Sequence, residues 1–366
     1  MLDRAAGPST WPATRQMAEG DRSRLAKTAL VVLGVALLAT VLFSLTSGAS
    51  DASAFAVISD WLFPSDASTL SERDRIIIYD IRLPRVVLGS FVGAALAVSG
   101  AVMQGLFRNP LADPGLIGVS SGAGLGAVLV IVFGGGILMP FTQLFGIHAL
   151  PVAAFVFSLA ATLILYRIST RRGQTSVATM LLAGIALAAF AGALMGLVVF
   201  MADDRQLRDI TFWNLGSLAG ATWLKIVATV PVIAAALVGA MFLARGLNAL
   251  ALGEPTARHL GIPVQRMKYG AIVAVAAAVG ASVSVSGGIG FVGIVVPHLL
   301  RLLIGPDNRY LLPASALLGA CLLLLADAVA RTIVAPAELP IGIVTAAFGA
   351  PFFLWILLRR RGIVDL

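Results

Sequence analysis

The residues of this chain that could do chemistry are few, and their spacing excludes more than it supplies. It has three lysines, Lys27, Lys225 and Lys268, and none of them follows a glycine. No G-x-x-x-x-G-K-[ST] phosphate loop can therefore form, and the chain does not bind ATP in that manner. His148, His259 and His298 lie far apart with no paired metal-ligand spacing, so each reads as structural or interfacial. Cys321 is the only cysteine and sits in an apolar run, which rules out an intrachain disulfide or a cysteine metal cluster and leaves a structural thiol. No nucleophile–base–orienter arrangement is visible.

Ionisable residues inside apolar segments are the stronger functional suspects. Asp327 is the clearest, with Arg331 four residues later on the same helical face, where the two can neutralise one another. A proton relay needs more intramembrane acids than this, which argues against a proton-driven carrier. Arg82 and Arg85, in Arg82-Leu83-Pro84-Arg85, stand just before an apolar segment. Two roles are open for them and for Arg331: salt bridges to Glu72, Asp74 and Asp80, or contact with a carboxylate-bearing partner. The loop Arg245–Lys268 reads as two short helices, Leu247–Leu252 and Pro255–Leu260, broken at Gly253, with Pro255 suited to a first helical turn and Gly261 to a C-terminal cap. It is either an ordinary ordered loop or a rigid docking patch for a cytoplasmic partner.

The elements that must position these residues are membrane helices. Of 366 residues, 59% are hydrophobic and 12% charged, and mean hydropathy is +0.96. A soluble domain carries about 25% charged residues, so lipid must cover part of this surface. Ten spans are predicted: Leu25–Thr46, Val86–Leu106, Gly115–Phe133, Leu150–Ile168, Ala178–Met201, Trp223–Leu243, Tyr269–Val285, Phe291–Ile304, Leu312–Ala330 and Ile341–Leu358. Leu25–Thr46 is longer than a signal-peptide core and is read as a retained span. Residues 1–24 read as a polar tail, 25–366 as one transmembrane domain, and Ala54–Leu62 as a short surface helix. With both termini placed in the cytoplasm, the inner segments hold 18 Lys and Arg and the outer ones 8. This matches the positive-inside rule and accounts for the net charge of +8 without nucleic acid. Between the second and third spans, Ala97–Gly126 is rich in small residues and turns tightly at Arg108–Asp113, so it should be buried in the bundle near any pathway. Ala97–Val98–Ser99–Gly100 echoes Ser284–Val285–Ser286–Gly287, a hint of the internal repeats common in transporters.

RLPR, SGAVMQGLFRNPLADPGLIGVSSGAG, LALGEPTARHLGIPV, GFVGIVVPHLLR and APAELPIGIVTAAFGAP, in collinear order over residues 70–360, resemble the FecCD permease family, the membrane subunits of type II ABC importers for vitamin B12, ferric siderophores and haem. The resemblance implies an all-α, vitamin B12 permease-like fold with internal pseudo-symmetry. It implies a non-catalytic homodimer in the bacterial inner membrane, with two ABC ATPase subunits below carrying ATP and Mg, and a periplasmic binding protein above. By similarity, Arg82, Arg85 and Arg331 match arginines that meet glutamates of the binding protein. Leu250, Leu252, Gly253, Glu254, Ala257, Leu260 and Gly261 match the helices that touch the ATPases, and Asn109 and Leu111 match a cytoplasmic gate. His298 belongs to the family's PHLLR run and is a poor candidate for a substrate-specific ligand. The segments LFRNPLADPGLIGVSSGA, DDRQLRDITFWNLGSL and RTIVAPAELPIG look most like haem permeases, which implies haem as transported substrate and no cofactor held by this chain. A planar apolar ring suits a tunnel with few strong ligands, as does a siderophore.

Overall fold

A computed structural model describes residues 22–48, 71–171, 174–335 and 337–359. The polar tail and the Ala54–Leu62 helix lie outside the described residues, except for the last three residues of the tail. The described residues are helical almost throughout, and the one sheet among them is a two-stranded hairpin of Thr170–Arg171 with Gln174–Thr175. The helices are α1 (Ser23–Thr46), α2 (Glu72–Phe107), α3 (Val119–Phe133), α4 (Met139–Phe145), α5 (Ala149–Ser169), α6 (Val177–Phe200), α7 (Asp204–Leu215), α8 (Trp223–Phe242), α9 (Ala244–Ala251), α10 (Glu254–His259), α11 (Val264–Ser286), α12 (Val292–Ile304), α13 (Asn308–Thr332) and α14 (Ile341–Arg359). Each of the ten predicted spans coincides with one of α1, α2, α3, α5, α6, α8, α11, α12, α13 and α14. Seven of these are long and apolar enough to cross a bilayer; α3, α12 and α14 are shorter apolar helices.

The core is built around α2, which packs on α8, α11, α12 and α13 and is buried along most of its length. Small residues make this possible. Gly93 of α2 lies against the backbone of Gly319 in α13, and Gly100 against Gly293 in α12, so closely that a β-carbon at either α2 position would overlap the opposing carbonyl. The α3–α5 contact uses the same device, with Gly122 and Gly126 against the carbonyls of Phe157 and Ala153. In contrast α1, α6 and α8 keep broad apolar faces outside the protomer core, including Val31, Val35 and Leu38 on α1 and Leu182, Ile185 and Phe190 on α6. Such faces suit lipid or another subunit.

Two chain breaks give α3 and α12 their short lengths. After α2 ends, Arg108 takes a left-handed conformation (φ 49°), and the chain turns back into the bundle. Asp113 Oδ1 accepts from Gly115 N at 2.7 Å, capping a 3-10 turn over Pro114–Ile117 before α3. In the second half, Gly287 (φ 70°) ends α11 and Phe291 (φ 68°) precedes α12. The two breaks face one another across a cavity of about 270 Å³ lined by residues that include Asp113, Pro114, Asn214, Gly288 and Gly290. The echo between 97–100 and 284–287 does not mark equivalent places: 97–100 lie inside α2, whereas 284–287 end α11.

Candidate functional site

The directions of α2 and α13 separate the candidate residues into two ends of the bundle. At one end stand Arg82, Arg85 and Arg331; at the other, the α2–α3 turn and α9–α10.

Arg82 and Arg85 share a helical face because they are three residues apart. Pro84 lies between them, and its ring would strike the carbonyl four residues back in a regular helix. The helix is π-helical over Ile77–Arg82, with Leu83 N–H donating to Ile78 O, a wider turn that accommodates the proline. All three arginines are buried, at 4–6% exposure. Arg85 Nε donates to Asp327 Oδ1 at 2.9 Å, its Nη2 to the same oxygen at 2.8 Å, and its Nη1 to Glu338 Oε1 at 2.9 Å. Arg331 Nε pairs with Asp327 Oδ2 at 3.1 Å, the i, i+4 pair expected from spacing. Its other nitrogens reach Ser47 O at 3.0 Å and Ser44 Oγ at 2.9 Å. Arg82 Nη1 donates to Leu45 O at 2.7 Å. Three guanidinium groups and two carboxylates thus tie α1, α2, α13 and the segment before α14 together. The ion pairs of Arg85 and Arg331 run to Asp327 and Glu338, not to the sequence-near Glu72, Asp74 and Asp80. Glu338 is 253 residues from Arg85 and only the fold brings them together.

At the opposite end, Asn109 and Leu111 are exposed at the turn after α2. Asn109 Oδ1 accepts from Leu111 N at 2.9 Å, which fixes the turn. Beside it, Arg301 of α12 donates to Gln104 Oε1 of α2, and Gln104 Nε2 donates to Gly293 O at 3.3 Å, so α12 and the foot of α2 are held as a pair.

The α9–α10 loop forms the two short helices the sequence predicts, with Gly253 (φ 102°) at the break and Gly261 (φ 79°) after α10. Its seven expected contact residues divide by burial. Leu252 and Leu260 are exposed, at 66% and 60%, with Gly261 also exposed and Gly253 and Glu254 half-buried. Leu250 and Ala257 are buried and serve to seat the helices. Asn248 Nδ2 donates to Asp307 Oδ1 at 2.7 Å, and Asn248 Oδ1 accepts from Asn308 N at 2.9 Å, fastening α9 to the start of α13. Arg309 holds the Asp307 carboxyl below the usual carboxylate range through direct hydrogen bonds, with Asn248 adding to the effect. Glu254 accepts from the buried Lys268, a pairing that spacing did not suggest. By sequence Lys268 closes the loop just before the predicted span at Tyr269; the structure instead starts α11 at Val264 and buries Lys268 within it, where a charge needs a partner.

A ten-span helical bundle, broken at two facing points and carrying a short paired-helix platform at one end, defines a membrane permease subunit. The match of residues 36–359 to the FecCD transport family shows that the chain belongs to that family, and it is the permease subunit of a type II, metal-chelate class ABC importer. It is 49% identical to the hemin transport system permease protein HmuU of Yersinia pestis over 284 residues, 77% of this chain and 83% of that one. It is 44% identical to the vitamin B12 import system permease protein BtuC of Salmonella typhimurium over 333 residues, 90% of this chain and 94% of that one. Among solved structures it resembles an inward-facing conformation of a metal-chelate type ABC transporter, with TM-score 0.78, 32% identity, and coverage of 91% and 99%.

Proposed function

We propose that this subunit imports haem: it receives iron-porphyrin from a periplasmic binding protein and passes it across the inner membrane, driven by ATPase subunits on its cytoplasmic face. The observation that carries the substrate is the 49% identity to a hemin permease, higher than the 44% to the vitamin B12 permease. A second reading, cobalamin or a ferric siderophore as cargo, is favoured by the greater length over which the vitamin B12 permease aligns.

In this proposal, residues 1–24 are a cytoplasmic tail, the rest one transmembrane domain with both termini cytoplasmic, and two copies enclose the pathway. ATP and Mg belong to the ATPases, which dock on the exposed Leu252 and Leu260 of α9–α10; hydrolysis is not a task of this chain. Asn109 and Leu111 face their copies across the dimer as the cytoplasmic gate. The binding protein docks through glutamates on the rim set by Arg82, Arg85 and Arg331. The three guanidinium groups are balanced within the protomer by Asp327, Glu338 and the nearby Asp74, so the partner's glutamates must compete with these carboxylates for them. Docking then weakens as salt rises.

The test is uptake by the reconstituted permease–ATPase complex offered binding protein loaded with haem, cobalamin or a ferric siderophore. Haem-dependent stimulation of ATP hydrolysis with haem accumulation supports the proposal. Stimulation only by cobalamin or siderophore selects the second reading. Transport by the subunit without ATPase, driven by an ion gradient, would refute ATP-driven import.

A further inference from the structure

Lys268 is among the largest fully buried side chains of the protein, at 2% exposure. A buried ammonium is costly unless its hydrogens are placed, and here they bridge two separate segments. Nζ donates to Glu254 Oε1 at 2.5 Å and to Thr175 O at 2.9 Å. Glu254 is the first residue of α10. Thr175 ends the hairpin between α5 and α6, and its own N–H donates to Gln265 Oε1 of α11 at 2.9 Å. Both backbone polar groups of Thr175 are therefore held by the first turns of α11. One residue on, Ser176 caps α6 by accepting from Thr179 N at 3.2 Å. Helix α6 in turn packs on α3, α5 and the Pro114–Ile117 turn, which begins three residues after Leu111.

We propose that Lys268 is a positioning residue for energy coupling: its ammonium locks α10 to the foot of α6, so that displacement of α10 by a docked ATPase moves α6 and the cytoplasmic turn after α2 rather than flexing the loop. The inference rests on the reading of α9–α10 as the ATPase platform. The chain of contacts is continuous, from Glu254 through Lys268 and Thr175 to α6 and on to Pro114–Ile117. Each link before α6 is a hydrogen bond to a charged group or to backbone, which resists extension better than apolar packing. Arg258 approaches Glu254 only at 3.9 Å and is exposed, so it cannot replace Lys268.

The experiment compares wild type, K268M and K268R in the complete permease–ATPase complex, in proteoliposomes with loaded binding protein. Glu254 is a third exposed and can turn to water when its partner is lost, so K268M should keep its fold. The expected result is normal ATPase co-purification and continued ATP hydrolysis, with substrate imported per ATP falling by about tenfold in K268M and recovering in K268R. Import per ATP unchanged in K268M overturns the proposal. So does a loss that merely follows ATPase activity.

Hydrogen exchange on the permease alone, in nanodiscs, provides the second measurement, and it also decides if K268M fails to assemble. K268M and E254Q should each raise exchange both at 174–178 and at 254–260. Loosening confined to 254–260 would show that no lock exists. If the wild-type complex shows no ATP-driven import at all, the ATPase-platform reading fails, while the exchange result still decides the lock.

Discussion

Arg85 binds two carboxylates, Asp327 and Glu338, and its environment decides what substitutions there do. Asp327, at 1% exposure, serves both Arg85 and Arg331. Removing it leaves two buried guanidinium groups without their shared carboxylate. Breaking a buried pair by deleting one partner costs about 3–5 kcal/mol. Asp327→Ala should therefore lower the thermal unfolding midpoint sharply in detergent. Glu338, at 39% exposure, is screened by solvent, and Glu338→Gln should cost no more than about 1 kcal/mol. Equal losses in the two variants would contradict the assigned burial. Asp307 gives a pH test. Its folded pKa lies below the ordinary carboxylate value because Arg309 stabilises the charged form. The sign follows: its contribution is present at neutral pH and is lost as pH falls through the folded pKa, below about 4. D307N should remove part of the stability loss below pH 4 and leave the profile from pH 5 to 8 flat relative to wild type.

At the scale of elements, close helix contacts at glycine carry the fold. Gly100→Val inserts atoms where Gly293 backbone already lies, and should abolish folded protein as judged by size-exclusion yield. Gly34 has open space around its missing side chain, and Gly34→Ala should be tolerated. The docking platform predicts a similar contrast. Leu252→Asp and Leu260→Asp place charge on exposed positions and should reduce ATPase co-purification with little change in stability. Leu250→Asp buries a charge at 1% exposure and should unfold the protein. Much at this scale was legible beforehand. Apolar runs mark all ten spans, and Gly253 and Gly261 mark the break and the end of the paired helices. The π-helical turn over Ile77–Arg82 was not legible, because it answers Pro84 within a helix whose length only packing sets. Nor was the burial of the three arginines, for which spacing left salt bridges to Glu72, Asp74 and Asp80 and contact with a partner equally open. The partners that bury them, Glu338 and Ser44–Ser47, come from the far ends of the sequence. Glu254–Lys268 was hidden for a related reason: they stand fourteen positions apart, and the pairing depends on how α10 folds back on α11.

At the scale of the whole molecule, the charge asymmetry, the two facing chain breaks and the split between a tightly packed centre and apolar outer faces describe a subunit built to work with others. The α2-centred core is rigid and sealed by small residues, whereas α6 and α14 leave large apolar side chains such as Phe190, Phe348 and Trp355 exposed. Under the proposed function, those faces meet lipid or a second copy, and the exposed Leu252 and Leu260 of α9–α10 meet an ATPase. The class of machine follows from the family, and transport decides the cargo. The most direct measurement is ATP hydrolysis and radiolabelled iron-porphyrin uptake by the reconstituted complex, with haem-loaded binding protein against the same protein unloaded. The proposed function predicts stimulated hydrolysis and haem accumulation only in the loaded case. Equal hydrolysis in both, with uptake instead of cobalamin or a ferric siderophore from its own binding protein, would contradict it.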